Sequence, residues 1–406
     1  MRVLILGAGP AGITAAQSLR ELGPAKKLNP EITIVSSEVG PPYSPPAMAD
    51  YFQTGCESRL YWQGVDVCER LRLDHRSGVA VQSVVPERKC VVLQDGSELA
   101  YDKLIIATGS RLFAPLQGYD LPGAYNFKSL TAARELIEHA RRGEVKTALV
   151  VGAGFIGVEV ALLLRSLGLD VTMVEQRWVM PHLLDEETAE FVLDELHRRG
   201  ITVRQHTEAI CFIGRDRVVG VELYDGEQLV ADAYVAATGV KPNVDYLLDS
   251  GLDIGWGIRV DNRMRTNLPD IWAAGDVAET FDRTSGEHYV HAIWPNARAQ
   301  GEVVAEDMLG YATHYAGAER MNSMKHLGLP IIAVGDTSGD RELRWRGRNE
   351  LRKVFLSDGK IAGFRLAGDI RGAGTYRALM LRGSDVSRYG EQLLDPRFNL
   401  HRCVSP

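Results

Sequence analysis

Short apolar runs that break at glycine turns dominate the pattern of hydrophobic and polar positions in this chain. Val3-Leu4-Ile5-Leu6 is continuously apolar and stops at Gly7-Ala8-Gly9-Pro10-Ala11-Gly12. Beyond the turn, apolar positions recur at helical spacing to about Leu22. The pattern is repeated once. Ala148–Val151 runs into Gly152-Ala153-Gly154-Phe155-Ile156-Gly157, followed by helical spacing to about Leu167. A β-branched run follows each copy, at Ile32–Val35 and at Val171–Val174. Unbroken apolar runs suit strands covered on both faces, so each copy predicts a βαβ unit with a glycine-rich first turn.

Other segments read as strands and loops. Val91-Val92-Leu93-Gln94-Asp95-Gly96 sets an Asp-Gly turn after an apolar run, and Val354–Gly359 does the same, so both predict hairpins. Residues 41–50, rich in proline, predict an irregular loop. The apolar start reads as a buried strand entering a turn rather than as a signal peptide. No run approaches the ~20 apolar residues that a membrane span needs.

The glycine spacing has a physical meaning. The first glycine permits the tight turn, the second lets backbone approach a pyrophosphate, and the third allows close helix–strand packing. The phosphate then meets the free N–H groups and positive dipole end of the helix. An acid at the end of the second strand would hold ribose hydroxyls. Glu175 follows Gly157 by 18 residues, and Glu38 follows Gly12 by 26. The insertion 23–30 accounts for the extra length. A carboxylate at Glu175 would repel a 2′-phosphate, which favours NADH over NADPH. Arg177 nearby reads as a solvated loop charge or as a 2′-phosphate partner.

Bulk properties narrow the class. At 406 residues the chain is long enough for two or three domains. Its 45% hydrophobic and 24% charged residues are ordinary for a globular protein. A net charge of −7 argues against a nucleic-acid protein. The five cysteines, Cys56, Cys68, Cys90, Cys211 and Cys403, form no C-x-x-C pair. That disfavours a disulfide framework, a zinc ribbon or an iron–sulfur site in this chain, and fits a cytoplasmic location. The ten histidines show no metal-ligand spacing, so no metal is expected.

With these motifs the sequence resembles the two-dinucleotide-domain flavoproteins, the pyridine nucleotide-disulfide oxidoreductases. Three further segments are similar to family motifs: Leu104–Gly109 and Val235–Asn243 to its two strand-and-ATG segments, and Leu268–Asp276 to its strand ending in an FAD-binding Asp. The resemblance implies an α/β fold with a split FAD domain (1–113 and 242–315), an inserted NAD domain (114–241) and a small C-terminal α/β domain (316–406). The stretch from Met321–Lys325 to Gly368–Gly372 is most similar to ferredoxin and rubredoxin reductases and to the flavin part of nitrite reductases. In that branch an arginine often stands where this chain has Pro45.

The same resemblance implies the site residues. FAD would be held by Gly7, Gly9, Pro10, Ala11, Gly12, Ser37, Glu38, Val81, Ala107, Thr108, Gly109, Lys128, Gly275, Asp276 and Trp294. Trp294 would sit beside the flavin, at a helix N-terminus aimed at the ring; core packing or surface charge is the alternative for Trp294, Lys128 and Val81. NAD(H), with NADP(H) disfavoured, would be held by Gly152, Gly154, Phe155, Ile156, Gly157, Glu159, Glu175, Thr238 and Gly239. Phe155 and Glu159 would lie near the nicotinamide.

Many relatives carry redox-active cysteine in the segment after the second strand, but residues 36–51 contain none. Cys56 is nearest and reads as a small buried apolar residue. Thiol–disulfide chemistry is therefore not expected, and flavin would be the terminal redox group. Three functions follow: NADH-linked electron exchange with an iron–sulfur protein or subunit, a peroxide-forming NADH oxidase, or a flavoprotein that senses NADH through partner binding. The basic segment Arg341–Arg348 reads as a partner-docking patch or, preferably, as a charged strand edge.

Overall fold

In this computed structural model residues 1–283, 286–324, 328 and 330–399 are described. Lys325 and Cys403 lie outside them. Compactness divides the chain into two units, Met1–Arg111 with Val240–Glu319, and Leu112–Gly239 with Arg320–Pro406.

The first unit is built on a parallel sheet in the order Ile271–Ala273, Lys103–Ile106, Arg2–Leu6, Glu31–Ser36, Asp74–Ser77. Val3, Leu4, Ile5 and Leu6 are all buried, as a central strand covered on both faces requires. The helix after the first turn spans Pro10–Leu22. It packs on the helix Trp294–Met308 so closely that a Cβ on Gly301 would lie 2.5 Å from the Ala11 carbonyl oxygen. Residues 23–26 form a single 3₁₀ turn, which absorbs the insertion before the second strand. The first expected hairpin forms antiparallel strands Cys90–Leu93 and Glu98–Ala100, with Val81–Val85 alongside.

The second unit repeats the plan. Its parallel sheet runs Ile201–Arg204, Asp170–Val174, Thr147–Val151, Ala233–Ala236, Ala124–Tyr125. The glycine-turn helix is Phe155–Ser166. An antiparallel C-terminal sheet follows in the order Met321–Met324, Ile331–Gly335, Lys360–Ala367, Leu351–Ser357, Arg341–Arg346. The second expected hairpin joins its two longest strands. The helix Ala373–Arg382 covers one face through Tyr376 and Leu379.

One expectation fails in part. The proline-rich stretch is not irregular to its end: Pro45–Ala47 is a 3₁₀ turn and Met48–Thr54 an α-helix. Prolines tolerate the first turn of a helix, where their missing N–H has no partner to lose. Met48 and Phe52, one turn apart, are both buried and anchor that helix. Among the described residues, no helix is long and apolar enough to cross a membrane.

Candidate functional site

The two glycine turns have the same anatomy. Gly7 and Gly152 adopt φ of 106° and 102°, in the region that favours glycine. A Cβ on either would come within 3.0 Å of a neighbouring-strand carbonyl, that of Ala107 or Ala237. A Cβ on Gly12 or Gly157 would collide with the carbonyl of the first glycine, Gly7 or Gly152. The middle glycines differ: a Cβ on Gly9 or Gly154 would meet nothing within 4 Å. Two positions of each turn are thus reserved by the protein's own packing, and one is open to a ligand.

Helix capping points the same way. Ser129 and Asp185 cap the helices Leu130–Arg141 and Glu186–Arg198 through their side chains. Gly9 and Gly154 begin their helices with no side-chain cap, and no acid lies in either first turn. These helix starts suit an external anion such as a pyrophosphate, as the fit of a dinucleotide demands.

Around the first turn the structure gathers several expected residues. Pro10 and Ala11 open the helix, and a Cβ on Gly275 would lie 3.1 Å from the Ala11 side chain. The Gly275 N–H donates to Gln300 at 2.7 Å. Asp276 accepts a hydrogen bond from Ser110 at 2.7 Å. Thr108 Oγ1 lies 3.2 Å from the Tyr246 hydroxyl, and Asn243 bridges to the Thr108 and Gly109 carbonyls. Burial raises the Tyr246 phenol above its ordinary range. Ser37 is exposed at the end of the second strand, and the Glu38 carboxylate accepts from the Tyr43 hydroxyl at 2.8 Å. Val81 opens its strand opposite Leu93.

Trp294 heads its helix with Pro295 behind it, and Trp62 meets it edge-on at 5.0 Å. Ser110, Tyr246, Asn243, Gln300 and Trp62 were not expected. Two of them left a sequence trace: Asn243 ends the segment Val235–Asn243, and Gln300 lies on the helix that Trp294 opens. Lys128 falls in the second unit, directly before the Ser129 cap.

Around the second turn the acid is engaged with backbone. Glu175 accepts the Ala153 N–H at 2.8 Å and the Arg177 N–H at 3.1 Å. The Ala153 carbonyl accepts from the Met180 N–H at 2.8 Å. Met180 reaches it from a left-handed conformation, φ 54°. Arg177 stacks on Trp178 at 4.5 Å. Phe155 and Ile156 form the helix start, with Ile156 exposed and Glu159 half-buried one turn in. Thr238 donates to the Phe113 carbonyl at 2.6 Å, and Gly239 accepts from the Phe113 N–H.

The reading of one residue changes. Cys56 is exposed, not a buried apolar residue. It sits in the short linker between two helices, and a hydrogen bond to Ser58 lowers its thiol pKa. Burial instead raises Cys68 and Cys90. The basic segment is an exposed edge strand, and two of its cations, Arg344 and Arg346, pair with Glu187. Among the described residues, no three His, Cys, Asp or Glu side chains group as metal ligands would.

Comparison with known proteins matches this geometry. The model of the pyridine nucleotide-disulphide oxidoreductase family covers residues 1–301. An NADH oxidase of Methanocaldococcus jannaschii is 29% identical over 100% of this chain and 95% of its own length. The ferredoxin–NAD(+) reductase component of the 3-phenylpropionate/cinnamic acid dioxygenase of Photorhabdus laumondii is 30% identical, over 78% of this chain and 79% of the relative. The crystal structure of the ferredoxin reductase for the CYP199A2 system from Rhodopseudomonas palustris superposes with a TM-score of 0.88 at 28% identity and covers 100% of both chains. Two uncapped glycine turns on two parallel sheets, under a family match across most of the chain, have one reading: this chain belongs to the pyridine nucleotide-disulphide oxidoreductase family, as an FAD-dependent enzyme that exchanges electrons with NAD(P)H.

Proposed function

We propose that the chain is an FAD-dependent NADH:acceptor oxidoreductase that exchanges hydride with NAD(H) and electrons with an iron–sulfur protein or subunit. The observation that carries this reading is the pair of glycine turns whose middle positions alone are open. The names of the relatives, which include a ferredoxin–NAD(+) reductase component and a ferredoxin reductase, support the acceptor class. Bound FAD supplies the exchange between hydride transfer and single-electron transfer.

In this reading residues 1–113 and 242–315 hold FAD, 114–241 hold NADH, and 316–406 form the third domain. Gly7–Gly12 and the uncapped helix start bind the FAD pyrophosphate. Glu38 takes the adenosine ribose, Asp276 the ribityl chain, and Val81 the adenine. Ser37, Ala107, Thr108, Gly109 and Gly275 line the path, and Trp294 lies beside the flavin. Gly152, Gly154, Ile156 and Gly157 bind the NADH pyrophosphate, Glu175 the ribose, and Thr238 and Gly239 close the site. Phe155 and Glu159 orient the nicotinamide and keep water away from it. The carboxylate of Glu175 disfavours a 2′-phosphate, and free cysteines fit a cytoplasmic setting.

Anaerobic stopped-flow mixing tests the first half-reaction: NADH should bleach the flavin band faster than NADPH. Absence of bleaching with either nucleotide overturns the proposal. The second reading, a peroxide-forming NADH oxidase, is favoured by the full-length similarity to the Methanocaldococcus protein. An oxygen electrode separates the two. Oxygen uptake as fast as reduction of an iron–sulfur acceptor, with stoichiometric peroxide, supports the oxidase.

A further inference from the structure

The strand Leu351–Ser357 is buried along most of its length, yet it contains Arg352 and Lys353. Lys353 is only 4% exposed and lies directly across from Arg365, itself 1% exposed, on the neighbouring strand. The Arg365 Nη groups donate to three backbone carbonyls, those of Val334, Phe364 and Gly335. Lys353 is satisfied by carboxylates: Asp185 at 2.6 Å, Glu187 at 2.8 Å and Glu342 at 3.3 Å. Burial works against the ammonium, but the hydrogen bonds to Asp185 and Glu187 outweigh it and raise its pKa.

Such a cluster adds little net stability compared with apolar residues of the same size. What it does well is fix position, because a buried cation tolerates few alternative arrangements. The thing positioned is the start of the helix Glu186–Arg198. Asp185 is its cap, accepting from the Thr188 N–H and hydroxyl, and Glu187 lies in its first turn.

The loop between Glu175 and Asp185 is tied to itself and to the glycine turn. Trp178 Nε1 donates to the Leu184 carbonyl, and the Leu183 and Leu184 N–H groups donate to that of Met180. Ala153, between Gly152 and Gly154, has its N–H held by Glu175 and its carbonyl held by Met180. The Ala153 carbonyl therefore depends on a loop whose far end is anchored by the C-terminal sheet, and its N–H on Glu175, the residue directly before that loop.

We propose that Lys353 is a positioning residue for the nucleotide turn: it anchors Asp185 and Glu187, which set the 176–184 loop that holds Ala153. The inference rests on the reading of Gly152–Gly157 as the pyridine-nucleotide turn. It makes the C-terminal sheet a determinant of nucleotide affinity.

The test is calorimetric titration of NAD⁺ into oxidised, FAD-loaded protein, alongside the KM for NADH with ferricyanide as acceptor. Lys353→Met should weaken NAD⁺ binding roughly three- to thirtyfold and raise the KM in step, with kcat held within about twofold. Lys353→Arg should recover most of the loss. A purely structural role would lower the melting temperature and leave the affinity of the folded protein unchanged, and that result overturns the proposal. If Lys353→Met does not fold, Glu187→Gln is the reporter: it should weaken binding in the same direction, and wild-type affinity in it overturns the proposal. Wild-type protein that binds no NAD⁺ overturns the nucleotide reading as well.

Discussion

The two βαβ units share a turn and differ in how each uses its acid. In the first, Glu38 accepts from a side chain, Tyr43, in a loop beyond the strand. In the second, Glu175 accepts from Ala153 of the turn itself and from Arg177. An ionised carboxylate has about four acceptor sites. Glu175 can thus brace the turn and still accept from ribose hydroxyls. The first turn is held differently, by the tight contact of its helix with Trp294–Met308 at Gly301 and by Gly275 against Ala11. One glycine turn is stiffened by helix packing, the other by hydrogen bonds.

That contrast breaks most readily at the first glycines. Gly7→Ala and Gly152→Ala each place a Cβ against a strand carbonyl at positive φ. Each should cost about 1–3 kcal/mol from backbone strain alone, read by denaturant unfolding. If either is neutral, the turns are not equivalent. The middle glycines separate binding from folding. Gly9→Ala should lower FAD affinity, and Gly154→Ala NADH affinity, about tenfold, while stability changes by less than about 1 kcal/mol. Loss of stability equal to that at Gly7 would show that the middle position is not open. Smallest is the effect of acid neutralisation. Glu175→Gln keeps an acceptor for Ala153 but removes the charge, and should reduce the NADH-over-NADPH preference in kcat/KM about three- to tenfold. Glu38→Gln should leave that preference unchanged. A shift in it from Glu38→Gln would reverse the assignment of the two units.

Much of this was legible in the residues. The glycine spacing, the flanking apolar runs and the trailing acids located both units, because a tight turn with close backbone approach restricts residue type so strongly. The hairpins at Asp95-Gly96 and Asp358-Gly359 were legible for the same reason. Other features were not. Cys56 has no local signal for exposure, and the helix Met48–Thr54 follows prolines that read as a loop.

The sequence by itself determined the duplicated plan, the family and the chemistry class, since each depends on local backbone geometry. Tertiary structure alone decided that Glu175 braces Ala153, that Ser110 meets Asp276, and that Lys353 reaches Asp185 across 168 residues of chain. Such pairs join residues far apart in the chain, and a charge in a strand becomes buried and paired only when the sheet carrying it is assembled. The glycine turns were therefore readable as turns, but which groups hold them in place was not.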